Sequence, residues 1–264
     1  MKVSRFNVIV TFMVCALVTS WTPKVPAKEP LVTDRPDFTE SSSSVGTGVI
    51  QLEAGTTYLE SSGGTDVWTL GEVLVRWGVI EKLELRFVLP TYSWERGGGD
   101  SSSGFLSTSV GFKYELKEGA GSGFIGGMEA AVIASTTVPT GTADYSSSAW
   151  QPSAVASASW ELGPSVGLGA NLGLSRPSNG DQRFTSLWLS AALGVGITDT
   201  TSVFFELFGF DREEDRGPNT LTFQTGVVYL LSPDLQLDLR AARRLSSEGI
   251  NILIGAGVSW RLGG

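Results

Sequence analysis

The chain has 264 residues, with 27 acids against 19 bases, no histidine and one cysteine, for a net charge of −8. The lack of histidine excludes Ser-His-Asp and Cys-His catalysis, histidine-ligated zinc and the facial triad of non-haem iron. The acidic balance excludes the basic surface that nucleic-acid binding needs to neutralise phosphates.

In chain order, Met1 to Arg5 carries two positive charges, Phe6 to Val18 is apolar, and Val25-Pro26-Ala27 offers small residues for cleavage. This is the pattern of a secretory signal peptide over residues 1–27, too short and wrongly flanked for a spanning helix. Its removal takes away Lys2, Arg5 and Lys24 and no acid, which moves the net charge from −8 to −11. Cys15 goes with it, so the expected mature chain has no disulfide, thiolate metal site or cysteine nucleophile. No cofactor and no metal site is expected. After the signal no apolar run approaches the ~18 residues of a spanning helix.

From residue 48 onward the chain reads as an all-β unit of twelve alternating segments separated by turn residues. They are Gly48–Glu60, Asp66–Gly78, Lys82–Trp94, Phe105–Leu116, Gly123–Thr137, Ala149–Leu162, Ser165–Arg176, Phe184–Ile197, Thr201–Phe210, Thr220–Leu231, Asp234–Arg243 and Ile250–Leu262. Pro90 lacks a ladder donor and predicts a bulge or barrel rim inside the third. Gly97 to Gly104, Pro139 to Ser148 and Asp211 to Asn219 read as loops. In the twelfth, Ile250, Ile252, Ile254, Ala256, Val258, Trp260 and Leu262 make an apolar face, and small, mostly polar residues make the other. Alternate side chains of a strand point to opposite faces, so each segment is two-faced.

Two regularities separate a membrane barrel from a soluble sandwich. Most short connections follow even strands and most longer polar ones follow odd strands, which is the turn asymmetry of outer-membrane barrels. Trp77, Tyr114, Trp160, Tyr229 and Trp260 each lie near the end of an even strand on the apolar face, as an aromatic girdle at one interface requires. The predicted fold is a single transmembrane antiparallel up-and-down β-barrel of about 12 strands. It spans residues 48–262 and follows an N-terminal segment over 28–47. Its expected partners are outer-membrane lipids and the barrel-assembly machinery, and its expected location is the bacterial outer membrane.

With apolar faces toward lipid, the inward charged residues are Glu53, Glu72, Arg76, Glu84, Arg86, Lys113, Glu115, Glu129, Glu161, Glu206, Asp238, Arg240 and Arg261, eight acids and five bases. Either these pair across strands and hold the barrel shut, or their acidic excess lines a narrow path that favours cations. Trp188, Phe204 and Phe208, also inward, suit a hydrophobic or aromatic solute or simply pack. The expected function is therefore a channel or transporter for small solutes with weak cation preference. The alternatives are a closed structural barrel and a histidine-free barrel enzyme; the chain is expected not to be an enzyme.

Thr33-Asp34-Arg35-Pro36-Asp37, followed by Gln51-Leu52-Glu53-Ala54-Gly55, resembles the start of the outer-membrane barrel family named for transport in the meta-pathway of phenol degradation. The resemblance implies an exported β-barrel and uptake of small organic compounds. It departs from the common barrel ending on an aromatic, since this chain closes Trp260-Arg261-Leu262-Gly263-Gly264. Asp34, Arg35 and Asp37 form a local charge cluster with Pro36 as a rigid turn. Two readings stand for it: a solvated periplasmic tail, or a segment tucked into the barrel mouth with Arg35 on a lumen carboxylate.

Overall fold

The structure, a computed structural model, describes residues 29–119, 123–146, 149–179 and 182–263. The expected signal peptide lies outside the described residues. Fourteen strands form one sheet that closes on itself: β1 (Ile50–Ser61), β2 (Asp66–Ile80), β3 (Leu83–Val88), β4 (Tyr92–Gly97), β5 (Asp100–Phe105), β6 (Thr108–Lys117), β7 (Met128–Val138), β8 (Gln151–Gly163), β9 (Val166–Ser175), β12 (Ser186–Gly196), β13 (Thr201–Phe210), β14 (Thr220–Ser232), β15 (Leu235–Arg244) and β16 (Ile250–Leu262). A separate two-residue ribbon, β10 (Ser178–Asn179) and β11 (Gln182–Arg183), rises from the connection between β9 and β12.

β3 and β4 are lower and upper halves of one stave, because both pair with β2 on either side of a break at Pro90. β5 and β6 form the next stave in the same way, pairing with β4 and β3. The barrel therefore has twelve staves, all antiparallel, and β1 pairs with both β2 and β16 to close it. Closure leaves no open edge through the bilayer, where an unpaired backbone group would find no water. Among the described residues no helix is long and apolar enough to cross a membrane. The 13 residues of β16 extend ~43 Å and, tilted by ~40°, cover roughly 33 Å, enough for an apolar band of ~25 Å and two interfaces.

The apolar face turns outward along every stave. Leu172, Leu189, Leu207, Leu221, Leu239 and Ile254 are all more than two-fifths exposed. Trp77, Tyr114, Tyr229 and Trp260 are exposed at the end where both described termini lie, and Trp160 at the same height is half-covered by Phe124. A second aromatic patch, unforeseen from sequence, sits at the opposite ends of β1, β2, β4 and β5. It comprises Tyr58 tilted against Trp68 (4.6 Å, 43°), Trp94 beside Trp68 in register, and Tyr92 against Phe105 (5.3 Å).

Two element assignments differ from the sequence reading. The expected serine-glycine loop 97–104 is largely strand, since β5 continues the hairpin with β4 above the membrane band. Serine and glycine alternation has no apolar face, so periodicity missed it. The expected start of the fifth strand at Gly123 is instead one helical turn, α1 (Gly123–Gly126), and β7 begins at Met128. Phe124 consequently lies in that turn, where its carbonyl accepts the Trp160 indole N–H at 2.8 Å.

Candidate functional site

Residues 31–45 run inside the barrel. Leu31 begins at the mouth, donating its N–H to the Pro233 carbonyl in the β14–β15 turn (2.8 Å). The segment rises, turns at Phe38 and returns to Gly48, whose N–H meets the Gly78 carbonyl (2.7 Å) just before β1. Its turn is closed by Asp34, whose carboxylate accepts the Ser41 N–H (2.8 Å) and hydroxyl (2.7 Å) seven residues on.

One wall of the lumen, formed by β1, β2, β3 and β6, is charged and buried. Arg76 is fully buried and pairs with Glu53 (3.0 Å) and Glu84 (2.9 Å). Arg86 reaches Asp34 (2.6 Å), Glu84 (2.8 Å) and Glu40 (2.6 Å), and Lys113 reaches Asp34 (3.0 Å). Asp34 thus sits among three cations, and Glu53 also accepts its backbone N–H at 3.0 Å. Burial alone would raise the Asp34 carboxyl, but Arg76, Lys113 and Arg86 hold it well below its ordinary value. Glu40 goes the other way, because burial outweighs its Arg86 partner and pushes it up.

Arg35 crosses to the neighbouring staves, with one guanidinium nitrogen 3.3 Å from Glu72 and another 3.3 Å from Asp238. It lies flat over Gly55 and Gly257, where any side chain would collide with the guanidinium. Arg240 joins the pair from β15, 3.7 Å from Glu72, and donates to the Pro36 carbonyl at 3.1 Å.

The opposite wall, on β9, β12, β13 and β14, is aromatic and small. Phe38 stacks on Phe208 (centroids 4.5 Å, 20°) and meets Trp188 (4.9 Å) and Phe210 (5.6 Å) edge-on. The Trp188 indole lies over Gly173, its register partner on β9, where a side chain would leave no room. Glu206, 1 % exposed, accepts the N–H groups of Phe38 (2.9 Å) and Thr39 (2.6 Å) and the Thr39 hydroxyl (2.6 Å), while Gln224 donates to it at 2.8 Å. Asn171 and Ser157 fix the Glu40 backbone. Burial first, and then the Glu206 charge, push the Asp37 carboxyl well above its ordinary value.

The remaining inward residues divide by height. Glu129 receives the Ser42 and Ser159 hydroxyls, and Glu115 receives the Ser44 N–H. Arg261 sits at the mouth, paired with Asp234 (2.6 Å) and donating to the Glu29 carbonyl. Glu161 is exposed there. Asp37, Glu40, Glu129 and Glu161 share a cavity of about 360 Å³, floored by Gly167, Gly169, Ala192 and Gly194. Among the described residues no group of three or more His, Cys, Asp or Glu is placed to hold a metal ion.

The uncharged contacts were missed from sequence: Gln51, Ser157, Asn171, Ser190, Gln224 and Gln236 all touch the segment. The available signal was their parity, since each occupies the inward face of its strand.

The family model described as "Putative MetA-pathway of phenol degradation" matches residues 33–262. The chain belongs to that family. The match begins at Thr33 and so includes the segment in the lumen as well as the barrel. No curated protein matches the chain. Among solved structures, an outer-membrane channel from Pseudomonas putida F1 is similar at TM-score 0.62 and 15 % identity, covering 88 % of this chain and 100 % of that one. The NanC porin is similar at TM-score 0.54 and 11 % identity, covering 81 % of this chain and 100 % of that one. At such identities the likeness is one of fold, an outer-membrane β-barrel.

Proposed function

We propose that the protein is a channel or transporter for small solutes in the bacterial outer membrane, and that residues 31–45 are its plug. The observation that carries this reading is the way the lumen is filled. Twelve staves enclose more room than their own side chains occupy, and the space is taken by a mostly polar segment held through hydrogen bonds, ion pairs and one ring cluster at Phe38. Such contacts exchange for water or solute without unfolding the wall. The acid-lined cavity of about 360 Å³ beside the segment is the part of a path that stays open when the plug is seated.

The solute side of the reading follows from the same inventory. The strands supply eight inward acids and five bases. The plug adds Asp34, Asp37 and Glu40 against Arg35, so the excess of negative charge grows from three to five. That favours cations, an effect that fades as salt shortens the Debye length from ~10 Å at 0.1 M to ~3 Å at 1 M. The ring cluster at Phe38 supports passage of hydrophobic or aromatic compounds, in keeping with the family's name. The protein acts without catalysis in this reading. Outer-membrane lipid surrounds its apolar belt, and the barrel-assembly machinery inserts it.

A closed structural barrel is the second reading, and the buried ion-pair network on β1, β2, β3 and β6 favours it. Liposome swelling separates the two. Proteoliposomes of the full mature chain should admit small neutral solutes faster than protein-free vesicles, with reversal potentials displaced toward cations at low salt. No swelling, with or without changes in the plug, would leave the closed barrel standing.

A further inference from the structure

Glu206 is a buried acid whose partners are mostly borrowed. Two backbone N–H groups and one hydroxyl come from Phe38 and Thr39; from the barrel wall comes the Gln224 amide, its register partner on β14. The cation on the next stave, Arg240, makes its ion pair with Glu72 at 3.7 Å. When the plug tip withdraws, a carboxylate that is 1 % exposed in the closed barrel loses three donors and gains no base. A solute that fills the vacated space and covers this carboxylate from water must bring a cation or strong donors of its own.

The groups beside it say what the partner carries. Phe208 stands two residues along the same face of β13, ~6.6 Å away by strand rise. With Trp188 and Phe210 it forms a slot that holds one ring, face against Phe208 and edges toward the other two. The present occupant is informative. The N, Cα, Cβ and ring of Phe38 are the skeleton of 2-phenylethylamine, with the nitrogen donating to Glu206 at 2.9 Å and the ring in the slot. An ammonium in place of the amide brings two further N–H donors and a full charge. The Glu206 oxygen used by Thr39 and the Ser190 hydroxyl, which Thr39 also contacts at 2.8 Å, are placed to accept them. Aromatic faces add attraction for the cation.

We propose that Glu206 with Trp188, Phe208 and Phe210 forms a binding site for primary arylalkylamines, which the plug's own Phe38–Thr39 pair occupies in the closed barrel. The proposal rests on the reading of the barrel as a solute pathway for the ligand's access. The ligand and the plug tip then exclude one another, so arrival of the amine favours the unseated plug.

The test uses the full mature chain in detergent, with 2-phenylethylammonium as probe and calorimetry as readout. Phe38→Ala empties the slot and Phe38→Leu removes its ring, and heat-dependent gel mobility verifies that each folds. Both should bind the probe about tenfold or more tighter than the unmodified protein, which must displace its own ring. Adding Glu206→Gln should weaken binding about tenfold or more, as loss of a charge-assisted contact does. Phenylacetate and benzyl alcohol, which keep the ring without the cation, should bind at least about tenfold more weakly. Equal binding of these two, indifference to Glu206→Gln, or no binding by either Phe38 variant overturns the site. Failure of the pathway reading looks different: the probe binds in detergent, yet proteoliposomes admit no solute.

Discussion

The two walls of the lumen hold the same segment by different physics. On β1, β2, β3 and β6 the grip is charge on charge, with Arg76, Lys113, Glu53 and Glu84 wholly buried. On β9, β12, β13 and β14 it is a ring in an aromatic slot plus one carboxylate reading backbone N–H groups. A buried ion network is all or nothing, because losing one member strands the others in low dielectric. Ring stacking is graded and can be matched by a foreign ring. The difference marks the charged wall as the anchor of the plug and the aromatic wall as the side from which it can be loosened.

The sharpest break falls on the anchor. Asp34→Ala removes the carboxylate shared by Arg76, Arg86 and Lys113 and leaves Lys113 with Glu84 at 4.0 Å as its nearest acid; breaking a buried pair in this way costs about 3–5 kcal/mol. The expected outcome is a plug driven from the lumen and a lower temperature for the heat-dependent gel shift. An unchanged transition would mean that Glu53, Glu84 and Glu40, not Asp34, balance the three cations. On the aromatic wall, Phe38→Ala removes three ring contacts of about 0.5–1.5 kcal/mol each. The transition temperature should fall by less than for Asp34→Ala, and protease cleavage within 31–45 should rise. Equal losses from the two substitutions would erase the distinction between anchor and latch.

A smaller effect has a pH signature. The Asp37 carboxyl is raised by burial and by Glu206. A raised value in the folded state favours the seated plug at low pH and penalises it as pH rises through that value. Asp34, held low by its three cations, has the opposite sign: its contribution is present above the ordinary carboxylate range and is lost as pH falls through the lowered value. Asp37→Asn should therefore raise the transition temperature by about 2–4 °C at neutral pH and leave it unchanged below the ordinary carboxylate range. A rise at both pH values would assign the effect to packing. The smallest change is expected at the mouth. Glu161→Gln, at an exposed residue, should shift the reversal potential slightly toward anions at low salt and leave the gel shift where it is.

The wall was legible in the sequence because a bilayer imposes a period of two on every stave. Parity alone placed Arg76, Glu84 and Lys113 opposite Trp77, Leu85 and Tyr114, and it located the lower girdle. The plug was legible only as a motif. Many of its contacts join residues more than 150 apart, such as Thr39 with Glu206 and Arg35 with Asp238, and no local pattern encodes such a distance. Gly55 and Gly257 read as small inward residues, and the room they leave for Arg35 emerges only when the barrel closes. Likewise the Ser101–Gly104 stretch of β5 carries no apolar alternation, so only its pairing with β4 reveals it as strand.

The most direct test is single-channel recording in planar bilayers of the unmodified mature chain against Asp34→Ala. If ion pairs at Asp34 seat a plug in the lumen, the unmodified protein should show small or rare openings. The variant should then show larger, steady currents with cation preference at low salt. Identical currents in the two proteins would contradict the plug and return the segment to a structural role.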